Sequence, residues 1–442
     1  MSESSPSRRD FVKTIAAGAA GTALAMPSVS YGRIIGANDR IRVGMIGVGR
    51  IMRYHISGFQ RQPDVEIAAL ADVYDPNLQR GAAMVEGDVD TYTDFRRIIE
   101  RDDIDAVVVG TPNHWHAIPT IRACETGKDV YVEKPLADTI EEGRHVVEAA
   151  QANDRIVQLG TQQRAGRHFQ EAVEMIRDDA IGEISFVRTW NTSNAYPDGI
   201  GTPDNTEPPE GLDWDLWLGP APEHPFNPNR FGVFLDENQE YQTWATWRWF
   251  WDHGGGNMSD WGVHWLDIVH WAMEEDAPHT ISSMGNKYAI EDNRETPDTL
   301  QTTYEYPGFT CVYENRILNN RGVDDHGSGI IFYGTDGTMY LSRGGFRIEP
   351  QPGSDVNEMQ VDAHGVEPSH VRDFLDSVKS RETPKSTIEV GHRSSSAAVL
   401  GNVAFRSGHT IEWDAEAETV TNHPDANQYV TATYRDPWSL GA

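Results

Sequence analysis

Positive charge is scarce in this sequence of 442 residues, in which 37 lysines and arginines accompany 68 aspartates and glutamates. The formal net charge is −31, and only six of the basic residues are lysines. Nucleic acids and anionic membranes are bound by clusters of lysine and arginine that neutralise phosphate charge. The composition therefore argues against nucleic acid or a membrane surface as a partner and leaves small molecules as the expected ligands.

Cysteine is nearly absent, with Cys124 and Cys311 as its two occurrences. They fall in different predicted domains and lack the spacing of metal ligands, so we expect two buried thiols and no disulfide. His114 and His116 flank a tryptophan, but no third ligand follows at a suitable spacing. We therefore predict no metal site.

Long hydrophobic runs are also missing, and the mildly apolar stretch Thr14–Ala25 is too short for an ordinary membrane span. The preceding segment, Ser7–Lys13, resembles a twin-arginine export signal, and Ala23–Ala25 offers a cleavage site. Residues 1–31 are therefore predicted to be a signal peptide. The protein is expected to be exported already folded, to the periplasm or the cell exterior, with any cofactor loaded beforehand.

The chain does contain a nucleotide-binding pattern, which begins at a predicted buried strand, Ile41–Ile46. The glycines that follow fit the tight turn and the close approach of a pyrophosphate to a helix N-terminus. Met52 stands where the third glycine of G-x-G-x-x-G is expected, so the motif alone is weak. The predicted cofactor contacts in this turn are Gly47, Val48, Gly49, Arg50 and Ile51.

An acidic residue ends the second predicted strand, Val65–Asp72, 25 positions after Gly47. A carboxylate there can bind the adenosine ribose 2′-OH and would repel a 2′-phosphate, which favours NAD over NADP. Asp75 is a less favoured substitute for Asp72.

Strands and helices continue to alternate as far as residue 160, which indicates a parallel sheet with right-handed crossovers. Ligands bind at the carboxyl ends of such strands. Gly47, Asp72, Thr111 and Lys134 all follow predicted strands. We therefore assign residues 38–160 to a Rossmann domain that binds NAD, and we place Lys134 near the nicotinamide.

The pattern changes after residue 160, and residues 161–442 are predicted to form an α+β domain with a large, mainly antiparallel open sheet. A helix over residues 161–182 is expected to open it. Residues 192–240 form a long ordered excursion anchored by Trp214 and Trp217. Residues 241–271 are rich in aromatic side chains, of which only a minority are expected to contact a ligand.

Within that aromatic stretch, Gly254–Trp271 predicts a glycine loop followed by a helix that begins near Asp260, with Asn257 or Ser259 as its cap. Asp260 and His264 lie four residues apart and should project from the same face. A carboxylate beside an imidazole can orient a base and adjust its pKa. The same pattern also suits a buried histidine satisfied by an aspartate of its own helix.

Four motifs resemble the Gfo/Idh/MocA family, the group of glucose–fructose oxidoreductase and inositol dehydrogenase. They are Gly47–Gly49, Thr111–Asn113, Glu133–Pro135 and the pair Asp260/His264. The resemblance covers essentially everything after the predicted signal. It implies a Rossmann domain, a C-terminal α/β domain whose open sheet often serves oligomerisation, and redox chemistry on sugars or cyclitols.

The resemblance also implies roles for individual residues. Lys134 and His264 would flank the reacting C–OH, and His264 would take the hydroxyl proton as hydride leaves to the nicotinamide. Asp260 would bind substrate or orient the site. Residues implied to line the cofactor are Thr111, Pro112, Asn113, His116, Glu133 and Lys134, with Gln162, Arg164 and Arg248 as further candidates.

Three functions remain open at this point. The first is an NAD-dependent oxidoreductase that acts on sugars or cyclitols and recycles a tightly held cofactor, since free NAD is scarce outside the cytoplasm. The second is a glycoside hydrolase or lyase that oxidises C3 transiently, as the family's exported α-N-acetylgalactosaminidases do. Those enzymes carry a tyrosine shortly before the histidine, whereas here Trp261 stands three residues before His264, which counts against that specificity. The third is a non-catalytic NAD- or sugar-binding protein, which the joint presence of Lys134, Asp260 and His264 disfavours.

Overall fold

Two β-sheets organise the protein, whose computed structural model describes residues 40–235, 238, 240, 245–363 and 367–441. The predicted signal at residues 1–31 lies outside the described residues, and so do Tyr241 and Trp244 of the aromatic stretch. Among the described helices, none is both long enough and apolar enough to cross a membrane.

The first sheet lies within residues 41–159. Its strands are β1 (Ile41–Ile46), β2 (Val65–Ala71), β3 (Asp90–Tyr92), β4 (Ala106–Val109), β5 (Asp129–Val132) and β6 (Val157–Leu159). They pair in the order β3-β2-β1-β4-β5-β6, and every pair is parallel. The order reverses between β1 and β4, where a doubly wound sheet opens its ligand crevice. The predicted Rossmann sheet is confirmed.

Five helices connect these strands: α1 (Met52–Gln60), α2 (Asp75–Met84), α3 (Arg96–Ile99), α4 (Ala117–Glu125) and α5 (Ile140–Ala152). Helix α5 opens with a capping box, in which the Thr139 hydroxyl accepts from the Glu142 N–H and the Glu142 carboxylate accepts from the Thr139 N–H. That box explains why the helix begins where the sequence pattern places it.

The buried side chain of Met52 fits against the first sheet because residue 110 is a glycine. Its side chain is fully buried at the start of α1, and a Cβ placed on Gly110 would lie 3.0 Å from the Met52 Cε. Gly110 thus leaves the space that a bulky residue at position 52 requires. The close approach between the first helix and the sheet is preserved without the third glycine of the motif.

The second sheet contains ten strands. They are β7 (Ile184–Thr192), β8 (Thr280–Asn286), β9 (Thr299–Tyr306), β10 (Phe309–Arg316), β11 (Ser328–Gly334), β12 (Gly337–Ser342), β13 (Gly345–Pro350), β14 (Met359–Asp362), β15 (Ile411–Asp414) and β16 (Thr419–Val420). The order is β14-β13-β12-β11-β7-β10-β9-β8-β15-β16, and only β7 and β10 pair in parallel. The mainly antiparallel sheet is as predicted.

The remaining helices are α6 (Arg167–Arg177), α7 (Trp214–Leu218), α8 (Pro228–Phe231), α9 (Val263–Met273), α10 (Glu367–Ser380) and α11 (Ile388–Ser407). Helices α6, α9 and α11 cover one face of the ten-stranded sheet and share its apolar core. The sequence predicts a buried stripe on this helix, of which Val263, Leu266 and Val269 are buried whereas the fourth member, Met273, is half-buried. Helix α9 therefore fixes the position of the segment that precedes it.

The helix predicted over residues 161–182 is wrong in extent. A 3₁₀ turn occupies Gln162–Ala165, Gly166 is extended at φ −76° and ψ 122°, and α6 ends at Arg177. The extended glycine separates the 3₁₀ turn from α6. Cys124 and Cys311 are free and buried, as predicted.

The described part of the excursion predicted over residues 192–240 lies against the loop that follows β2. The Asp75 N–H donates to the Gly211 carbonyl at 2.9 Å, and the Asp213 N–H donates to the Val73 carbonyl at 2.9 Å. Trp214 and Trp217 stack at 4.6 Å between ring centroids. We call Gly211–Asp213 the strap, because it joins the excursion to the carboxyl-end loop of the first sheet.

Candidate functional site

A cavity of about 1180 Å³ opens at the carboxyl ends of the first sheet. Pockets for a single drug-sized ligand measure roughly 300–1,000 Å³, so this one has room for a dinucleotide and part of a second molecule. Of the predicted site residues, Val48, the further candidate Arg164 and the less favoured Asp75 do not contribute to its wall. The contributing residues are Gly47, Gly49, Arg50, Ile51, Asp72, Thr111, Pro112, Asn113, His116, Glu133, Lys134, Gln162, Arg248, Asp260 and His264.

The glycine turn forms one end of the cavity. Gly47 has φ +80°, and a Cβ there would lie 2.8 Å from the Thr111 nitrogen, so glycine is required. A Cβ on Gly49 would meet nothing closer than the Val233 Cγ1, at 3.7 Å. The backbone at Gly49 is therefore open to the cavity just ahead of α1, which is the cradle that a pyrophosphate occupies at a helix N-terminus.

Asp72 lies beside this turn and binds backbone amides. Its carboxylate accepts from the Val48 N–H at 2.7 Å and from the Tyr74 N–H at 2.9 Å. Burial raises the pKa of Asp72 to about 6, because desolvation outweighs the amide bonds that favour the charged form. Asp75 is exposed and does not line the cavity, so the geometry favours Asp72 as the ribose ligand.

The loop after β4 meets the loop after β5 at His116. Its two ring nitrogens lie 2.6 Å from the Pro135 carbonyl and 2.9 Å from the Thr111 carbonyl. The His116 side chain therefore links the two loops and also forms part of the cavity wall. The Thr111 hydroxyl is buried without a hydrogen-bond partner and offers a donor to a ligand. His114 binds the Trp217 carbonyl instead.

Glu133 lies beneath the site and holds the backbone of Lys134, whose N–H donates to it at 3.2 Å. His55 contacts the same carboxylate at 2.8 Å. Burial favours the neutral acid, but the His55 contact outweighs it and lowers the pKa of Glu133. His55 was missed from the sequence, although it is the one polar member of the buried stripe of α1.

Lys134, Asp260 and Arg248 form a charged cluster at the opposite end of the cavity. The Lys134 Nζ donates to the Asp260 Oδ1 at 2.7 Å and to its backbone carbonyl at 2.9 Å. An Arg248 Nη lies 2.6 Å from the same Oδ1. Burial alone would raise the pKa of Asp260, but the two cations hold it well below the usual range.

The helical segment begins at Met258, two residues ahead of the start predicted near Asp260, and its first turn is not α-helical. A π-helical turn, Met258–Gly262, precedes α9. Asn257 makes no capping bond, since its amide binds the Asn315 side chain at 2.9 Å, and the Ser259 hydroxyl is buried without a partner. A π-turn is wider than an α-helical turn, and such turns are frequent at functional sites.

The π-turn also changes the relation of Asp260 to His264. The carboxylate turns to Lys134 and Arg248 and does not orient the imidazole, which corrects the predicted pair. The His264 Nδ1 is buried without a hydrogen-bond partner. Burial, and next Arg343 and Lys134, hold the pKa of His264 well below its usual value, with Asp260 acting in the opposite direction. The imidazole is therefore neutral near pH 7 and able to accept a proton.

Of the further candidates, Gln162 lines the cavity and Arg248 belongs to the charged cluster, but Arg164 lies in the core. The Arg164 Nε binds both carboxylate oxygens of Asp267 at 2.9 Å, and the Ser394 hydroxyl donates to the same carboxylate at 2.8 Å. Arg164 does not line the cavity, so the prediction that it contacts the cofactor is wrong.

The dense aromatic stretch divides between wall and core. Trp247, Trp249 and Trp261 line the cavity, whereas Phe250 and Trp265 are buried in the protein interior. Arg343 also reaches the wall, with its guanidinium carbon 4.8 Å from the Trp261 ring centroid. Arg343 carries no sequence signal of its own, since it lies 79 residues after His264 in the turn between β12 and β13.

Two family models match the chain. The model described as oxidoreductase family, NAD-binding Rossmann fold, covers residues 41–161. The model described as oxidoreductase family, C-terminal alpha/beta domain, covers residues 195–440. Both models carry the Gfo/Idh/MocA name.

Curated relatives include a glycosyl hydrolase family 109 protein of Shewanella sp. (strain W3-18-1), 33% identical over 154 residues, which are 33% of this chain and 34% of that protein. A protein of the same name from Shewanella pealeana is 32% identical over 204 residues, 40% of this chain and 44% of the relative. The chain thus spans between a third and a half of the length of the curated relatives it matches.

Solved structures with a similar fold include levoglucosan dehydrogenase in complex with NADH and levoglucosan. It has a TM-score of 0.63 at 16% identity, over 85% of this chain and 99% of that one. The WlbA dehydrogenase from Chromobacterium violaceum, in complex with NADH and UDP-GlcNAcA, has a TM-score of 0.64 at 16% identity, over 86% and 98%. At these identities the likeness extends to the fold alone.

Proposed function

Because the chain belongs to the Gfo/Idh/MocA oxidoreductase family, we propose that it transfers hydride between a C–OH group of a sugar or cyclitol and NAD. The observation that carries this function is the convergence of the glycine turn, Lys134, Asp260 and His264 on one cavity. Chemistry and cofactor binding thereby share a single cavity.

The residues present fit a nicotinamide dinucleotide. The open backbone at Gly49 and the orphaned hydroxyl of Thr111 provide the cradle and a donor. Asp72 supports NAD over NADP, because a carboxylate accepts from ribose hydroxyls and repels a phosphate at the same position. When bound, the nicotinamide supplies the hydride acceptor.

The protein's own residues would manage the proton and the charge. Since the His264 Nδ1 is shut off from the cavity, the Nε2 is the ring nitrogen that can take the hydroxyl proton. The ammonium of Lys134 stabilises the negative charge that develops on the substrate oxygen. Asp260, which also binds Arg248, holds that ammonium in place, so Asp260 is a positioning residue for Lys134.

Tight retention of the cofactor is part of the proposal. The strap is hydrogen-bonded to the loop that follows Asp72, and Trp217 and Phe231 of the excursion complete the wall there. Release of a dinucleotide from this end would require those contacts to open. Export through the twin-arginine route, proposed from Arg8 and Arg9, agrees with a cofactor that is loaded once and then recycled.

The test uses the purified mature protein with no cofactor added. The protein is denatured and any released nucleotide is identified by mass spectrometry, and absorbance near 340 nm is recorded for the folded protein as sugars are added. We expect stoichiometric NAD that becomes bound NADH with one class of sugar. His264→Ala should retain the NAD and slow its reduction by about 10²–10⁴-fold. Absence of bound nucleotide together with no NAD affinity on titration would overturn the proposal.

A second candidate function is glycoside cleavage through transient oxidation by the same residues. The curated relatives named glycosyl hydrolase family 109 favour it, whereas Trp261 stands where a tyrosine is expected for the galactosaminidase specificity. Release of the aglycone from a chromogenic glycoside without added NAD would establish this reading. Net accumulation of NADH with a free sugar would exclude it as the main activity.

We further propose that the protein forms a homo-oligomer through the ten-stranded sheet. The strand register places Phe186 and Met284 on the same face of this sheet, and both are exposed. Exposed apolar side chains on an open sheet suit contact with a second copy. Light scattering would report a monomer if this proposal is wrong.

A further inference from the structure

Two histidine side chains stack at one edge of the ten-stranded sheet. The rings of His409 and His423 are parallel to within 4° and lie 4.0 Å apart between centroids. His409 lies between α11 and β15, and His423 follows β16, the last strand at that edge. Neither residue lines the cavity described above. The fold thus brings two imidazoles together at a place that the proposed chemistry does not use.

A carboxylate completes a group of three donors. The Asp425 Oδ2 lies 4.0 Å from the His409 Nε2, and one donor atom from each of the three side chains lies within 4.8 Å of the other two. Some point between three such atoms is no more than about 2.8 Å from each of them, whereas zinc bonds to histidine and carboxylate measure about 2.0–2.2 Å. A shift of each donor by less than about 1 Å would therefore place all three on one ion.

Hydrogen bonds fix the segments that carry the two histidines. The Glu412 N–H donates to the Asn422 Oδ1 at 2.9 Å, and the Asn422 amide donates to the Thr410 carbonyl at 3.0 Å. The Ala426 N–H donates to the His423 carbonyl at 2.9 Å and closes the turn between them. None of these bonds uses an imidazole nitrogen, so the histidines are held close together with their donors open to a ligand.

The donor set selects the class of ion. Calcium and magnesium take oxygen ligands, whereas neutral imidazole suits zinc, copper and nickel. Two imidazoles and one carboxylate with water in the remaining position are a known zinc set. The side chains of His409 and Asp425 are 40% and 67% exposed, so an ion can enter from solvent without any rearrangement of the core.

The sequence alone does not predict this site. Fourteen positions separate His409 from His423, whereas zinc motifs place paired histidines about four to six positions apart. Among the residues that the structure describes, this is the one group of three or more histidine, cysteine or acidic side chains whose donor atoms come so close together. The hairpin formed by β15 and β16 brings the donors together.

We propose that His409, His423 and Asp425 form a zinc site, with water completing the coordination of the ion. The ion joins the end of α11 to the 3₁₀ turn Pro424–Tyr429. This inference is independent of the proposed function, because none of the three residues lines the cavity.

The 3₁₀ turn leads into a C-terminal segment, residues 430–441, that packs against the helices of the first sheet. The Glu141 N–H at the start of α5 donates to the Val430 carbonyl at 3.1 Å. The Trp438 ring lies 4.7 Å from that of Trp115 between centroids, and Trp115 belongs to the cavity wall. Zinc at the start of this segment therefore stabilises its packing behind the cavity wall.

The experiment titrates Zn²⁺ into NAD-loaded protein that carries no histidine tag and has been treated with EDTA, with binding measured by calorimetry. We expect one Zn²⁺ per chain, bound at least roughly 100-fold more tightly than Mg²⁺. Loss of a side chain that supports a zinc ligand costs about 10–100-fold in affinity, so His423→Gln, which removes a ligand itself, should cost at least roughly 100-fold. Absence of saturable one-to-one binding would overturn the inference.

His145→Gln is the matched control. His145 also forms an exposed pair with a carboxylate, its Nδ1 lying 3.5 Å from the Glu148 Oε2, but among the described residues no third donor joins this pair. The control should bind Zn²⁺ as the wild type does. Wild-type affinity in His423→Gln, or an equal loss in both variants, would overturn the assignment of the ligands.

Thermal unfolding tests the stabilising role of the ion. Saturating Zn²⁺ should raise the Tm of the wild type and slow the tryptic removal of residues 430–441, because the ion binds the folded chain. Neither effect should appear in His423→Gln, whose Tm without metal should equal that of the wild type. Zn²⁺ bound by these residues with no rise in Tm would overturn the stabilising role.

Discussion

The two ends of the cavity hold a carboxylate by different means. At the glycine turn, Asp72 is bound by the amides of Val48 and Tyr74, and its pKa is raised to about 6. At the charged cluster, Asp260 is bound by Lys134 and Arg248, and its pKa lies well below the usual range. Burial raises the pKa at both places, so the partners decide the direction of the shift.

This difference matches the two tasks proposed for the cavity. Backbone N–H groups at the cofactor end form a fixed lining that can donate to hydroxyl and phosphate oxygens, and they leave Asp72 able to titrate. Cations at the reaction end keep Asp260 ionised at every working pH, and Asp260 keeps the Lys134 ammonium in one position. Backbone groups therefore give the cofactor end a fixed shape, whereas charged side chains give the reaction end fixed charges.

The largest effect should follow from breaking the charged cluster. Asp260→Asn removes the anion that positions Lys134, and misplacement of a catalytic group by about 1 Å can cost roughly 100-fold in rate. We expect kcat for sugar oxidation to fall by about that factor or more, while NAD content remains normal because the glycine turn is untouched. Single-turnover absorbance near 340 nm measures the rate.

Asp267→Asn is the matched control, since Asp267 lies seven residues further along and also binds an arginine. It is fully buried against Arg164, and loss of one partner of a buried ion pair costs about 3–5 kcal/mol. The free energy of unfolding should therefore fall for both substitutions, and by more for Asp267→Asn, because the Asp260 side chain is 21% exposed whereas that of Asp267 is fully buried. The reverse pattern in denaturant titrations would show that Asp260 belongs to the structure and not to the reaction.

The sequence predicts much of the first sheet, whose strand ends position Asp72 and Lys134. Strand β1 begins and ends where the sequence places it, because a continuous apolar run is buried on both faces of a parallel sheet and ends at glycine. Parallel strands present their carboxyl ends at one edge of the sheet. The sheet therefore brings together the residues that follow four of its strands, which are Gly47, Asp72, Thr111 and Lys134.

What the sequence does not predict depends on local geometry and on distant contacts. The spacing of Asp260, His264 and Asp267 suits one face of an α-helix, so nothing in it separates a site carboxylate from a core carboxylate. The π-turn makes that separation by directing Asp260 to the cavity. Arg248 and Arg343 reach the site through tertiary packing. Periodicity along the chain does not predict which distant residues the packing brings together.

A smaller effect should follow from changing the glycine turn, and two substitutions separate its roles. Gly49→Ala places a methyl group where no protein atom lies within 3.7 Å, so the fold should tolerate it while the approach of the pyrophosphate is blocked. An extra methyl in a tight site costs about 1–3 kcal/mol, or roughly 10–100-fold in NAD affinity. Gly47→Ala should lower thermal stability as well, because φ is +80° and the Thr111 nitrogen lies at 2.8 Å. Unchanged NAD affinity in Gly49→Ala would mean that the phosphates bind elsewhere.

The smallest effect concerns the titration of Asp72. The raised pKa means that the folded protein binds this proton more tightly than the unfolded chain, so the stability that it contributes is present below about pH 4 and is lost as pH rises through 6. The difference in unfolding free energy between the wild type and Asp72→Asn, measured without nucleotide, should therefore shift against the wild type by roughly 1–3 kcal/mol between pH 4 and 7.

NAD affinity should move in the opposite direction, because an ionised carboxylate accepts more strongly from ribose hydroxyls. We expect the dissociation constant for NAD to fall up to about tenfold from pH 5 to 7 in the wild type and to stay flat in Asp72→Asn. Parallel pH profiles for the two proteins would show that Asp72 does not bind the ribose, and the contrast between the two ends of the cavity would then rest on Asp260 alone.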